Sequence, residues 1–287
     1  MNRWDRHLRR MAVPLFAAAA VLVVLPALMT LGLAFTDYDG LSSPKWSGLA
    51  NFRRMIGDDL FWTALWNSLI FAAIAVPLRL GVALGTSLLY ARRRRGVGAE
   101  RAAVYLPSVV PDISYALLWL WVFNPLYGPL PLLAGMLGFP VTEWLLGPWS
   151  ARFAIVIMSL FQVGEGFVVA LAARNDIPND LYELAAIDGA RPLWMFRRVT
   201  LPLMAPVLTL LAARDIVYSF QANFVPALVL TDGGPFYATT FLPLYTYRNA
   251  FEFFRFGYAA SMTLVMYLVT LALVGVQLRV VRRRWAA

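Results

Sequence analysis

The chain has 287 residues, 60% of them hydrophobic and only 14% charged, and carries a formal net charge of +9. Apolar runs of about 20 residues recur along it, enough to cross a hydrocarbon core about 30 Å thick, and they are too continuously apolar for alternating barrel strands. A soluble globular fold is excluded, and so, with no cysteine present, are disulfides, thiol catalysis and thiolate metal sites.

The class is therefore an all-α polytopic membrane protein, since helices satisfy their own backbone in lipid. In chain order, a basic arm (Arg3, Arg6, Arg9, Arg10) comes first and holds the single histidine, His7, which reads as a solvated residue rather than a ligand. Span one covers about residues 11–35; Pro14 and Pro26 predict bending, and its length argues against a cleaved signal peptide. A segment rich in turn formers follows, with Asp37, Asp39, Gly40, Pro44, Trp46, Asp58 and Asp59. Span two covers about residues 64–90 and span three about 103–123, separated by Arg92, Arg93, Arg94, Arg95 and Arg101. The next segment carries Pro125, Gly128, Pro129, Pro131 and Pro140 among aromatics. Span four covers about 153–173, span five about 203–224 and span six about 258–278, with the turn signal Thr231-Asp232-Gly233-Gly234-Pro235 between the last two. Residues 1–287 read as one domain.

Arginine sets the orientation. The N-terminal arm, the loop between spans two and three, the loop 174–202 (Arg174, Arg191, Arg197, Arg198) and the C-terminus (Arg279, Arg282, Arg283, Arg284) fall on one side; the other has only Lys45, Arg53, Arg54, Arg248 and Arg255. The positive-inside rule places both termini and loop 174–202 in the cytoplasm. Charges clustered beside apolar runs fit topology rather than nucleic-acid binding.

Loop 174–202 is a compact polar island. Asn179 or Asp180 can cap a helix, and Asp180 with Glu183 has capping-box spacing. Gly189 ends the helix, and Arg191-Pro192 restarts one with proline in its first turn. Leu193, Phe196, Val199 and Leu201 form an apolar stripe, and Pro202 hands over to span five. On physics alone this is either a projecting knob with a partner or an ordinary well-capped loop.

The stretch resembles the cytoplasmic loop of permease subunits in binding-protein-dependent ABC importers, whose pattern is Glu-Ala-Ala, three residues, Gly, nine residues, then Ile-x-Leu-Pro. Glu183, Ala185, Gly189, Leu201 and Pro202 fall at matching positions, with Leu184 for the middle alanine and Val199 for isoleucine. The likeness continues through Phe35-Thr36-Asp37-Tyr38, Asn51-Phe52, Leu106-Pro107, Phe123-Asn124-Pro125, the Thr231–Pro235 turn and Gly257-Tyr258-Ala259. It covers nearly the whole chain and is similar to the maltose, multiple-sugar and glycerol-3-phosphate permease group. The resemblance implies six spans, a coupling helix between spans four and five, and a home in a bacterial or archaeal cell membrane. It implies a second permease chain, two cytoplasmic ATPase subunits, an extracytoplasmic solute-binding protein and a sugar-like substrate as partners. Glu183, Ala185, Ala186, Asp188, Gly189, Leu201 and Pro202 become the ATPase-coupling set, with Glu183 the polar anchor.

The chain carries no Gly-x-x-x-x-Gly-Lys-Ser/Thr loop, and its only lysine is Lys45. It is read as a non-enzyme that binds no cofactor, with ATP and Mg on the partner ATPase. Charged side chains at mid-membrane cost about 2.5–3.5 kcal/mol each, so those within the spans mark a pathway or a pair. Candidates for a substrate pathway are Glu165, Gln162, Gln221 and Asn223, with Tyr115, Trp119 and Tyr218 as ring-stacking aromatics. Glu165, between Gly164 and Gly166, suits hydrogen bonding to sugar hydroxyls; equally, Glu165–Arg214 or Asp112–Arg79 could be structural pairs. A secondary transporter or channel without ATPase remains an alternative, weakened by the lack of an inverted repeat. An intramembrane enzyme lacks its motifs.

Overall fold

The computed structural model describes residues 12–92, 94–138 and 143–285. Arg3, Arg6, His7, Arg9, Arg10, Met11, Arg93 and Pro140, with the side chains of Arg283 and Arg284, lie outside the described residues. In chain order the elements are α1 (Ala12–Leu33), the antiparallel ribbon of β1 (Thr36–Asp37) and β2 (Lys45–Trp46), α2 (Ala50–Ile56) and α3 (Asp59–Leu89). Then come α4 (Val97–Tyr105), a 3-10 turn Leu106–Val109, α5 (Asp112–Val122), α6 (Pro129–Met136), α7 (Pro148–Leu160) and α8 (Gly164–Asn175). The chain closes with α9 (Asp180–Ile187), α10 (Pro192–Thr231), α11 (Leu242–Tyr247) and α12 (Phe256–Trp285). Among the described residues four helices, α1, α3, α10 and α12, are long and apolar enough to cross a membrane, or up to six if α4–α5 and α7–α8 each count as one broken span.

Spans three and four are thus not the continuous helices that hydropathy suggests. The α4–α5 pair bends by 102°. The cause is local: Val110 precedes Pro111, whose ring pushes it out of the helical region to ψ 131°. The α7–α8 pair bends by 47° at residues 161–163. There the Gly164 N–H donates to Ser108 Oγ at 2.9 Å, and a Cβ on Gly164 would come within 2.5 Å of that oxygen.

Span five is also longer than expected. The stretch 192–200, expected to be a separate short helix, is the start of α10. Pro202 would normally break such a helix, because it lacks a donor and its ring crowds the carbonyl four residues back. A wide π turn at Phe196–Thr200, with Leu201 N–H bonded to Phe196 O, opens the backbone just ahead of it. The same device precedes Pro26, where Ala20–Val24 is π-helical. Beyond Ser219, α10 loosens into turns at residues 220–223 before resuming at Phe224–Pro226 and Ala227–Thr231.

The described residues form two compact units. The first joins the chain up to Phe61 with Tyr245–Leu268. Its ribbon pairs Thr36 with Trp46 and Asp37 with Lys45, and Asn51 Nδ2 donates to the carbonyls of Ala34 (3.0 Å) and Thr36 (2.9 Å). Gly257 is required by close approach, since a Cβ there would collide with the Thr36 carbonyl. Asp58 caps the start of α3, its Oδ1 accepting from Leu60 and Phe61 N–H, while its Oδ2 accepts from the Tyr245 and Tyr258 hydroxyls at 2.6 Å each. Partial burial pulls the Asp58 carboxyl upward, but the Tyr245 and Tyr258 donors and the two backbone donors outweigh it and hold it below the usual carboxylate value. Burial, then the bond to Asp58, pushes the Tyr245 phenol up to about 12.

The second unit, Trp62–Leu244 with Val269 onward, holds two apolar clusters. One packs Phe71, Tyr115, Phe123, Ile155, Met158 and Phe241; the other packs Ala170, Ile177, Met204, Leu208 and Leu211. Arg152 also works here: its Nε donates to Ala238 O at 2.9 Å and its Nη2 to Asn67 Oδ1 at 2.8 Å, while Asn67 Nδ2 donates to Tyr237 O at 2.8 Å. That clamp fixes the turn after Pro235.

Candidate functional site

Two places in the second unit concentrate the chemistry. The first is the knob of α9. Its first-turn amides are met by backbone, Leu181 N–H by Pro178 O and Tyr182 N–H by Asn179 O, so Asn179 sits at the N-cap with no side-chain cap bond and the capping box is not formed. The reason is that Asn179 is already helical, at φ −65° and ψ −29°. The C-terminus is closed by a Schellman pair, Ala190 N–H to Ala185 O (2.9 Å) and Gly189 N–H to Ala186 O (3.0 Å). This requires Gly189 at φ +73°, a left-handed conformation that costs other L-residues about 1–2 kcal/mol. Arg191, extended at ψ 153°, then leads into Pro192 at the first turn of α10.

No residue of α9 is buried. Glu183, Ala186, Asp188 and Gly189 are exposed, Ala185 is half-buried, and Leu201 and Pro202 are half-buried on α10. Leu184 is 61% and Ile187 81% exposed, and Leu193 and Trp194 are exposed beside them. Four large apolar side chains are thus exposed in a short stretch that also carries the Glu183 carboxylate. Sequence reasoning missed Ile187 and Trp194, which lie outside the apolar stripe; only their exposure shows their part.

The second place is a cleft between α3, α8 and α10, lined by Arg79, Gln162, Gly166, Leu211, Arg214 and Asp215. Arg79 Nε donates to Asp215 Oδ2 at 3.0 Å, and its Nη2 bonds Ser219 Oγ. Ser219 Oγ in turn donates to Asp215 O at 2.8 Å. Arg79 therefore pairs with Asp215, not with Asp112. The adjacent Arg214 pairs with Glu165 through Nη2. The two pairs differ in access: side-chain exposure is 4% and 11% for Arg79 and Asp215, but 44% and 60% for Arg214 and Glu165. Tyr218 lies between the two guanidiniums, 5.3 Å from Arg79 and 5.2 Å from Arg214 to its ring centre. Buried charge is thus neutralised in one pair, and the other is left open to the cleft.

Of the sequence candidates, Gln162 lines this cleft, and Glu165 and Tyr218 adjoin it through their contacts with Arg214. Gln221 is exposed in the turn after Ser219, and Asn223 is buried with neither amide atom hydrogen-bonded among the described residues. Tyr115 and Trp119 stand apart in the apolar core: the Tyr115 hydroxyl donates to Met158 O at 2.9 Å, and Trp119 packs on Phe123 and Phe161. Among the described residues no group of three or more His, Asp or Glu side chains is placed to hold a metal.

The family described as "Binding-protein-dependent transport system inner membrane component" matches residues 78–286, a stretch containing both the knob and the cleft. The chain belongs to this family. This transport component is a multi-pass inner-membrane protein. It is 32% identical to the trehalose/maltose transport system permease protein MalF of Thermococcus litoralis over 96% of this chain and 93% of that one. It is 30% identical to the sulfoquinovosyl glycerol transport system permease protein SmoG of Agrobacterium fabrum, over 99% and 96% of the two chains. Its fold is similar to a chain of a bacterial ABC transporter involved in the import of the acidic polysaccharide alginate, with a TM-score of 0.84 at 22% identity, covering 98% of this chain and 96% of that one. With these relatives and this family, the transport component is a permease subunit of a binding-protein-dependent transport system.

Proposed function

We propose that this permease forms half of the translocation pathway of an ATP-driven importer for a sugar or related hydroxylated solute. The observation that carries the reading is the α9 knob: a helix with no buried residue, closed by a Schellman turn, with Leu184 and Ile187 exposed beside Glu183. Such a surface needs a partner, and the family pattern makes that partner a cytoplasmic ATPase. Counting each bent pair as one span gives six, with residues 1–287 acting as a single transmembrane domain. The arginine clusters then put both termini and loop 174–202 in the cytoplasm.

The coupling surface comprises Glu183, Ala185, Ala186, Asp188 and Gly189, with Leu201 and Pro202 at the junction to span five. ATP and Mg sit on two partner ATPases and this chain binds no cofactor. A second permease chain completes the pathway, and an extracytoplasmic binding protein delivers the solute.

In the cleft, Glu165 and Arg214 offer acceptors and donors to hydroxyl groups, and Gln162 adds an amide. Two cations and two anions balance there, so the groups left open serve as hydrogen-bond partners for hydroxyl groups. Relatives that act on trehalose/maltose and sulfoquinovosyl glycerol support a hydroxylated solute. Gln221 and Asn223 extend the polar route into the turn at 220–223. Tyr218 is the aromatic available for stacking; Tyr115 and Trp119 serve packing.

The test is reconstitution. The tagged chain, solubilised from cells that express its partner subunits, is expected to carry an ATPase through purification and to import solute into liposomes only with ATP. Import by the chain alone, without ATP, contradicts the reading.

A further inference from the structure

Of the eight side chains of α9, only Tyr182 and Ala185 are half-buried; the other six are exposed. Ala185 is too small to hold a helix in place. Tyr182 is not. Its ring packs against the cluster of Ala170, Ile177, Met204 and Leu208. The Arg174 guanidinium, at the end of α8, lies 4.3 Å from the ring centre on a cation–π contact. Its hydroxyl bonds Thr200 Oγ1 at 2.9 Å, and Thr200 is buried at the end of the π turn that opens α10.

We propose that Tyr182 is the positioning residue that ties the coupling helix to the two transmembrane helices it must move. Through one side chain, α9 is fixed to the end of α8 (Arg174) and to the start of α10 (Thr200). A rigid load path needs such a joint. Without it, a pull on the exposed face of α9 would be absorbed by the flanking turns at residues 176–179 and 188–191. The hydroxyl end meets α10 at the widened turn ahead of Pro202, where the intrahelical bonding is already i→i−5. A helix bends most readily at such a turn, so force delivered there tilts the helix above it. That helix carries Arg214, Asp215 and Tyr218 into the cleft. The inference rests on the coupling reading above and adds the side chain that transmits the motion.

The experiment uses the whole importer, with its ATPases, second permease and binding protein, in liposomes, and reads solute imported per ATP hydrolysed alongside the yield of assembled complex. Tyr182→Phe keeps the ring, its apolar packing and its contact with Arg174, and removes only the hydroxyl. Assembly is expected at wild-type yield, with solute imported per ATP down about two- to tenfold, the factor one net hydrogen bond is worth. Thr200→Val should give the same loss, and the double variant no further loss, because both remove one bond. Thr200→Ser, which retains the hydroxyl, should stay at the wild-type ratio. A wild-type ratio in Tyr182→Phe, additive losses in the double variant, or a fall in assembly yield with the ratio unchanged would each overturn the inference. A wild-type importer that assembles but shows no ATP-dependent uptake would instead overturn the coupling reading beneath it.

Discussion

The knob and the cleft are built by opposite means, although α10 runs from one to the other. The knob has a helix with nothing buried, an apolar crown facing outward and its shape set by backbone hydrogen bonds at Asn179 and Gly189. The cleft has charges facing inward, its shape set by side chains that meet across three helices. Changes in the knob should therefore spare stability and damage coupling. Changes at the buried pair should damage stability first.

The largest effect tests the buried pair. Arg79→Met leaves the Asp215 carboxylate buried without its partner, and removing one member of such a pair costs about 3–5 kcal/mol. A large drop in thermal midpoint of the detergent-solubilised protein is expected, and the double variant Arg79→Met/Asp215→Leu should recover much of it. A midpoint unchanged in Arg79→Met would place the charge in solvent.

Glu165→Gln sharpens the contrast. This pair is about half exposed, so its loss should cost no more than about 1 kcal/mol of stability. Uptake should nevertheless suffer, with a raised half-saturation concentration in transport assays. An unaffected half-saturation would make Glu165 a structural residue.

The knob was legible in the sequence because its rules are local. Pro178, Gly189 and Pro192 punctuate the chain within 15 positions, and the helix Asp180–Ile187 follows from them. The cleft was legible only as a set of expensive residues. Nothing local says that Arg79 meets Asp215, 136 positions away, rather than Asp112. Hydropathy also concealed the bend at Pro111, because an average taken over residues 103–123 stays apolar straight through the break. The short helices α2 and α6 escaped it, being shorter than the window a span requires. Tyr182 gave no signal either, since its partners Arg174 and Thr200 are defined only once α8 and α10 stand together.

The smallest effect lies in the other compact unit, at Asp58. Its folded carboxyl is held below the usual value of about 3.9, so the stabilisation it contributes is fully present above that value. It should be lost as pH falls through the lowered folded value. Amide exchange at Leu60 and Phe61 should quicken in that acid range, and Asp58→Asn should show the faster exchange already at neutral pH. Exchange that does not respond to either change would remove the carboxylate from the cap.

The central claim, that ATP hydrolysis acts on the cleft through the knob, is tested most directly by Gly189→Val in the reconstituted importer. No neighbouring atom would meet a Cβ at that position, so the burden falls on the left-handed backbone alone. The variant should insert into the membrane and accumulate normally, while ATP-driven uptake is lost. Wild-type uptake per ATP by Gly189→Val, at normal expression, would contradict the account.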